Sequence, residues 1–375
     1  MSEHYQHLGV YSDWVDAAQR QAPLFPVAAP GALTQRRVRE VLGFTHGAEA
    51  PLTVQVEQRW TRDGVAGEEV SWSVGFGPRT HAYVLKPLAA AGPLPGIVAL
   101  HDHSGFKYYG KEKIADGPGG ASPGVARLRA LEYEGRAYAN ALAQAGFVVL
   151  VPDCFLWGSR RFPLETMIEG VGDQAPAPSD FSDASPAITH YNAVADAHEH
   201  LVAKYCNLLG ASLAGIVSYE DRVAFNYLLG RPDVLAARAG CIGLSGGGNR
   251  AALLNATHDR VAAAVIVGLM STYAGLLDHN VTHSWLFFPY GWAREGDWPD
   301  LAACRAPFPL LVQYDLADNL FTPEGMQDAH MRLTAHYQHA GKPEAYTGQF
   351  YPGPHKFDLE MQAAAFAWLQ TNVGK

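Results

Sequence analysis

The segment Gly243-Leu244-Ser245-Gly246-Gly247 constrains this chain more than any other. It lies between an apolar run, residues 239–244, and a stretch of helical spacing, residues 249–257. A strand that becomes a helix within so few residues forces its apex residue into strained backbone angles, and the neighbours must be small. Glycines two residues before and two residues after Ser245 meet that need. Such a turn lifts the serine hydroxyl above the sheet edge. It also aims the amide of Gly246 and the positive end of the helix at the same space. Ser245 is therefore the candidate nucleophile. A glycine-rich turn with an incidental serine is the alternative, and the strand-turn-helix context argues against it.

Around this turn, apolar runs alternate with helical patterns from residue 96 onward. Strands are expected at 96–100, 147–152, 239–244, 261–269, 307–314 and 345–351. Helical spacing covers 128–145, 223–229, 249–257, 323–340 and 358–373. Continuous apolar strands separated by helices require a mostly parallel, twisted sheet with helices on both faces, an α/β fold. Three earlier runs, 53–60, 69–76 and 81–86, read as an antiparallel start to the sheet. Residues 1–52 are rich in Pro, Ala and Gly with short helical patches. They read as an N-terminal helical arm on a domain spanning 53–375. Two stretches break the alternation, about 159–215 and 271–305. They read as long irregular insertions that serve as lids or pocket walls.

A lone serine is a poor nucleophile at neutral pH and needs an adjacent base. An acid after a later strand and a histidine near the end of the chain complete such a set. The strand ending at Tyr314 is followed by Asp315-Leu316-Ala317-Asp318, and the next by Pro352-Gly353-Pro354-His355. His355 is the expected base, titrating near 6–7 like an ordinary histidine. Asp318 is the expected acid, because the chain must leave the sheet before a carboxylate can reach His355. Asp315 and Asp278 compete for that place, Asp315 also reading as a turn cap.

The loop His101-Asp102-His103-Ser104-Gly105 follows the strand 96–100. The amide of His103, with that of Gly246, is the expected oxyanion hole. No metal site is expected: the alternating His101-Asp102-His103 ligands lack a third cluster, and His198-Glu199 has Val202 where a zinc helix needs histidine. Gly117–Gly120 follows no strand and reads as a loop rather than a phosphate cradle. Trp285 and Trp292, within an aromatic run, are expected to line or cover the pocket; an ordinary aromatic cluster is the other reading.

The chain of 375 residues is 48% hydrophobic and 17% charged, enough for a large core. A net charge of -9 repels phosphate backbones and argues against nucleic acid. No run of eighteen apolar residues exists, so no membrane span is expected. The N-terminal sequence lacks a secretory pattern, which gives a cytoplasmic expectation. Cys154, Cys206, Cys241 and Cys304 are far apart and read as reduced, buried thiols. Oligomeric state is not readable.

Taken in order, Leu100-His101-Asp102-His103-Ser104-Gly105, Pro152-Asp153, Gly243-Leu244-Ser245-Gly246-Gly247, Asp318 and His355 resemble the bacterial α/β-hydrolases related to dienelactone hydrolase and acetyl xylan esterase. The likeness spans roughly residues 80–373, and the stretch Gly105–Lys113 is similar to one branch of these esterases. It implies an α/β-hydrolase fold and a cofactor-free hydrolase acting on small esters. Two residues depart from the pattern. Ser245 stands where dienelactone hydrolase uses cysteine, and Asp102 replaces the glycine of the usual His-Gly pair. The expected activity is hydrolysis of small carboxylic esters, acetyl esters among them, through an acyl-enzyme. The same triad could instead cleave a C–C or amide bond, and a non-catalytic binding protein on this fold is the reading from another class.

Overall fold

The computed structural model describes residues 5–175, 185–277 and 280–373. Among these described residues nine strands form one sheet: β1 Leu52–Arg62, β2 Val65–Ser73, β3 Thr80–Pro87, β4 Leu94–Leu100, β5 Val148–Pro152, β6 Val234–Leu244, β7 Ala264–Val267, β8 Leu310–Asp315 and β9 Tyr346–Tyr351. Their order across the sheet is β1-β2-β3-β5-β4-β6-β7-β8-β9. The first three strands run antiparallel, and β3 joins β5 antiparallel. From β5 to β9 every pairing is parallel.

Alternation along the strands divides the interior into two apolar layers. Val98 and Leu100 face one layer, shared with Leu150, Ile266 and Val312 and covered by the helices Leu213–Leu229, Gly246–Thr257 and Pro323–His339. Ile97 and Ala99 face the other, with Val149, Ile242, Val265 and Leu311 under the helices Tyr138–Gln144 and Leu359–Asn372. Strands β5, β7 and β8 are buried at every residue, the signature of a sheet covered on both sides. The α/β architecture and the antiparallel start therefore agree with the sequence pattern.

Three expectations are corrected. The helical stretch 128–145 is two helices, Pro123–Glu132 and Tyr138–Gln144, broken where Glu134 and Gly135 take positive φ. The insertion 159–215 is mostly helical, with Leu164–Val171 and the 23-residue helix Pro186–Leu208. That long helix buries Tyr191, Val194, Ala195, His198, Glu199, Val202 and Cys206, a regular helical stripe. Three of its buried positions, Asn192, His198 and Glu199, are polar, which hides the period from a reading of apolar residues alone. The second insertion, 271–305, also holds short helices, the last being Trp298–Ala303, closed by a reciprocal capping box of Asp297 and Asp300.

Residues 5–52 contribute the helices Asp13–Gln21 and Ala32–Leu42. The second is tied to the body where the Ser212 amide donates to the Leu42 carbonyl at 3.1 Å. All four cysteines are free and buried. Among the described residues no single helix is long and apolar enough to cross a membrane.

Candidate active site

Ser245 joins β6 to the helix Gly246–Thr257 with φ 56° and ψ -122°. This is the strained geometry that the glycine spacing requires. Close packing shows why the glycines are needed. A Cβ on Gly243 would lie 2.3 Å from the carbonyl carbon of Gly247. The Ser245 amide donates to Val267 of β7 at 2.9 Å, and its carbonyl accepts from Asn249 at 2.9 Å, so the turn is anchored on both sides.

Asp318 and His355, the expected acid and base, follow the ends of β8 and β9. The turn after β8 is stitched to the loop after β9, with the Leu316 amide on Tyr351 O at 2.8 Å and the Ala317 amide on Gly353 O at 2.9 Å. This carries Asp318 out of the sheet and beside His355. Asp318 Oδ2 meets His355 Nδ1 at 2.6 Å, while Oδ1 accepts from the Leu320 amide at 2.8 Å. His355 Nε2 is left as the ring nitrogen without a protein partner among the described residues.

Burial works against the imidazolium of His355. The bond to Asp318 and its charge, followed by Glu132 and Asp315, outweigh burial and raise the pKa to about 9. That is above the 6–7 of an ordinary histidine. Asp315 stays at the strand end, buried, with Oδ2 accepting from the Lys356 amide at 3.3 Å and Oδ1 unpartnered. Burial lifts its pKa to about 7. Asp278 lies outside the described residues.

The loop after β4 runs beside the turn. A Cβ on Gly246 would sit 2.7 Å from the amide nitrogen of His103, so the two backbones pass in near contact. Neither amide has a protein acceptor among the described residues. Asp102, the departure from the usual glycine, is fully buried beneath this loop. Its carboxylate meets Lys113 Nζ at 3.1 Å and the Tyr133 hydroxyl at 2.7 Å, and it accepts from Ser104 Oγ. Lys113 also donates to the carbonyls of Asp102 and His103, at 2.9 and 3.0 Å. A buried charge is tolerated when it is paired and hydrogen-bonded, and here both oxygens of Asp102 accept from donors that tie down the loop.

Ser104 Oγ is also 2.7 Å from Glu132 Oε1. One hydroxyl proton cannot serve two carboxylates, so the Glu132 carboxyl supplies the second proton. Burial, with the neighbouring Asp102 charge, favours that neutral form.

The stretch 105–113 buries three lysines, each on an acid. Lys107 meets Glu199 at 2.9 Å, Lys111 meets Asp153 at 3.1 Å and Lys113 meets Asp102. His101 and His103 point to different partners. His101 Nδ1 bonds Asp102 O in the core, whereas His103 Nε2 bonds Glu199, so they share no ligand site. One group of potential metal ligands occurs among the described residues, Asp315, Asp318 and His355. Within it Asp318 and His355 are already bonded to each other.

Ser245, Gly246, His103 and His355 line one cavity of about 750 Å³. Trp285, Leu286, Phe287 and His283 form part of its wall. Trp285 also borders a neighbouring apolar pocket of about 350 Å³, so it partitions the two. Trp292 does not line the cavity. It is fully buried in the core beside Phe287 and Trp298, and the pocket expectation for it is corrected. The run divides because Phe287 stacks on Trp298 at 4.4 Å, so its inner rings pack on one another and only its edge faces the cavity.

Sequence reasoning did not single out Glu132, Asn249, His283 or Ser284 as cavity residues, and it met Glu199 only as part of a failed zinc motif. The available signal was the pairing of buried polar positions with helical period in 192–206.

No family model matches this chain. By sequence it is 24% identical over 304 residues to the "Putative hydrolase YtaP" of Bacillus subtilis (strain 168), covering 79% of this chain and 84% of that protein. By structure it is similar to the methylesterase BT1017, with a TM-score of 0.62, 18% identity and 90% of this chain covered. The chain spans 62% of that protein's length. It is also similar to acetyl xylan esterase 1 from Thermoanaerobacterium sp. JW/SL YS485, with a TM-score of 0.57, 14% identity, and 95% of this chain and 98% of that one covered. The fold is the α/β-hydrolase fold.

Proposed function

We propose that this protein is a serine hydrolase that cleaves small carboxylic esters, acetyl esters among them, through an acyl-enzyme on Ser245. The observation that carries the reading is the 2.6 Å bond between Asp318 and His355 Nδ1, made on the wall of the cavity that Ser245 lines. Ser245 Oγ attacks the ester carbonyl while His355 Nε2 takes its proton. The amides of His103 and Gly246 hold the oxyanion, and His355 returns the proton to the leaving alcohol. Water, deprotonated by the same nitrogen, then releases the acid and frees Ser245. The reading uses no cofactor. The esterases that share the fold, and the hydrolase name of the sequence relative, support it.

The cavity lining supports small polar substrates. Asp196, Glu199, His200, Asn249, Ser284 and Asn319 stand among its apolar groups, and no Lys or Arg lines it among the described residues. A long alkyl chain laid against such groups desolvates them without replacing their hydrogen bonds. Acetyl and butyryl esters of one alcohol are therefore expected to exceed octanoyl and palmitoyl esters in kcat/KM. A maximum at palmitoyl would overturn the small-ester reading. Acetylated sugars in the same panel test the polar alcohol side.

The competent base is neutral His355, so kcat/KM rises as the pH rises through its pKa. Because the fold favours the protonated ring, the rise is expected above the ordinary 6–7, with a midpoint as high as about 9. A profile already flat by pH ~6 would show that a differently placed group limits the reaction.

A further inference from the structure

Glu199 belongs to the insertion helix Pro186–Leu208, yet its carboxylate, 4% exposed, joins the two walls of the cavity. Oε2 receives His103 Nε2 and Lys107 Nζ, each at 2.9 Å. Oε1 receives the Ser284 hydroxyl at 2.7 Å and the Trp285 amide at 3.1 Å. Four donors from two loops converge on one side chain.

The ring of His103 is held at both nitrogens. The Gly105 amide donates to Nδ1 at 3.0 Å, so Nε2 carries the proton that Glu199 accepts. The ring also packs edge-on against Trp157, with centroids 5.1 Å apart. Fixing this ring fixes the residue whose backbone amide faces Gly246.

We propose that Glu199 is a positioning residue: acting through the His103 ring, it sets the oxyanion-binding amide of His103 and docks the insertion helix onto the active site. The proposal rests on the serine-hydrolase reading above.

Glu199→Gln is the discriminating change. Glutamine keeps the shape but replaces one oxygen with an NH2 group. Placed at Oε2, that group opposes His103 Nε2–H and the Lys107 ammonium. Turned around, it opposes the Trp285 amide. His103 cannot relieve the first conflict by moving its proton, because Gly105 already donates to Nδ1. A displaced oxyanion donor lowers the rate of the chemical step more than it weakens substrate binding.

The experiment measures kcat and KM for p-nitrophenyl acetate in Glu199→Gln, His103→Phe and the double variant, with Ser245→Ala as control. His103→Phe keeps the backbone amide and the ring packing, and leaves Glu199 paired with Lys107, so it tests the idea even where Glu199→Gln fails to fold. Each single variant is expected to lose about 10- to 100-fold in kcat with KM changed less than about threefold. The double variant should lose no more than the worse single, because both break one connection. Retention of wild-type kcat by His103→Phe, a loss confined to KM, or multiplied losses in the double variant would overturn the proposal. If Ser245→Ala is itself fully active, the hydrolase reading fails; if it is dead while His103→Phe is unimpaired, only the role of Glu199 fails.

Discussion

Ser245→Ala is expected to lose ester turnover by on the order of 10³-fold or more, with its melting temperature unchanged. The loss follows from removing the hydroxyl that the proposed reading makes the nucleophile, at the apex of a turn with φ 56°. Stability should survive because the turn is held by backbone bonds to Val267 and Asn249, which alanine keeps. Hydrolysis of p-nitrophenyl acetate, measured beside thermal unfolding, checks both halves. Near-wild-type turnover in a folded variant would remove Ser245 from the mechanism.

Asp318→Asn is expected to lower kcat by about 10³- to 10⁴-fold, and the geometry gives the reason. Oδ1 accepts from the Leu320 amide at 2.8 Å, so the oxygen of an introduced amide stays there and its NH2 turns to His355 Nδ1. Nδ1 must then accept, which puts the ring proton on Nε2, where a base facing Ser245 needs a lone pair. The enzyme is left folded with the wrong tautomer. Asp315→Asn is the comparison. Asp315 shares the vicinity but bonds the Lys356 amide rather than the ring, so its loss should be far smaller. Equal losses at 315 and 318, measured as kcat at a pH above the His355 transition, would show that the acid is shared.

The features legible in the sequence are those fixed by steric necessity or chain order. Gly243 and Gly247 betray the turn because their Cα atoms pack where no Cβ fits. Asp318 and Asp315 are both buried and differ in partner: Asp318, past the strand end, reaches His355 Nδ1, whereas Asp315 accepts from the Lys356 amide. His355 follows from its place between the last strand and the last helix. The insertions were less legible, since Pro186–Leu208 buries polar residues on the face that a core helix fills with apolar ones. Glu199 is distinguished only by what it binds, and its partners lie 85 to 96 residues away in sequence. No local pattern announces such a group. Trp292 is a related case: an aromatic run shows that rings cluster, but not which of them faces a cavity. Asp102 departs from the glycine of the usual pair, and no local pattern shows that Lys113 and Tyr133 pair with its buried carboxylate.

Rapid mixing with excess p-nitrophenyl acetate, followed by acid quench and peptide mass spectrometry, tests the central claim most directly. The account predicts a burst of nitrophenol approaching one per active site wherever deacylation limits turnover, and one acetyl group on the peptide carrying Ser245. Both should be lost in Ser245→Ala. An acetyl group trapped on a different residue, with Ser245 unmodified during turnover, would contradict it.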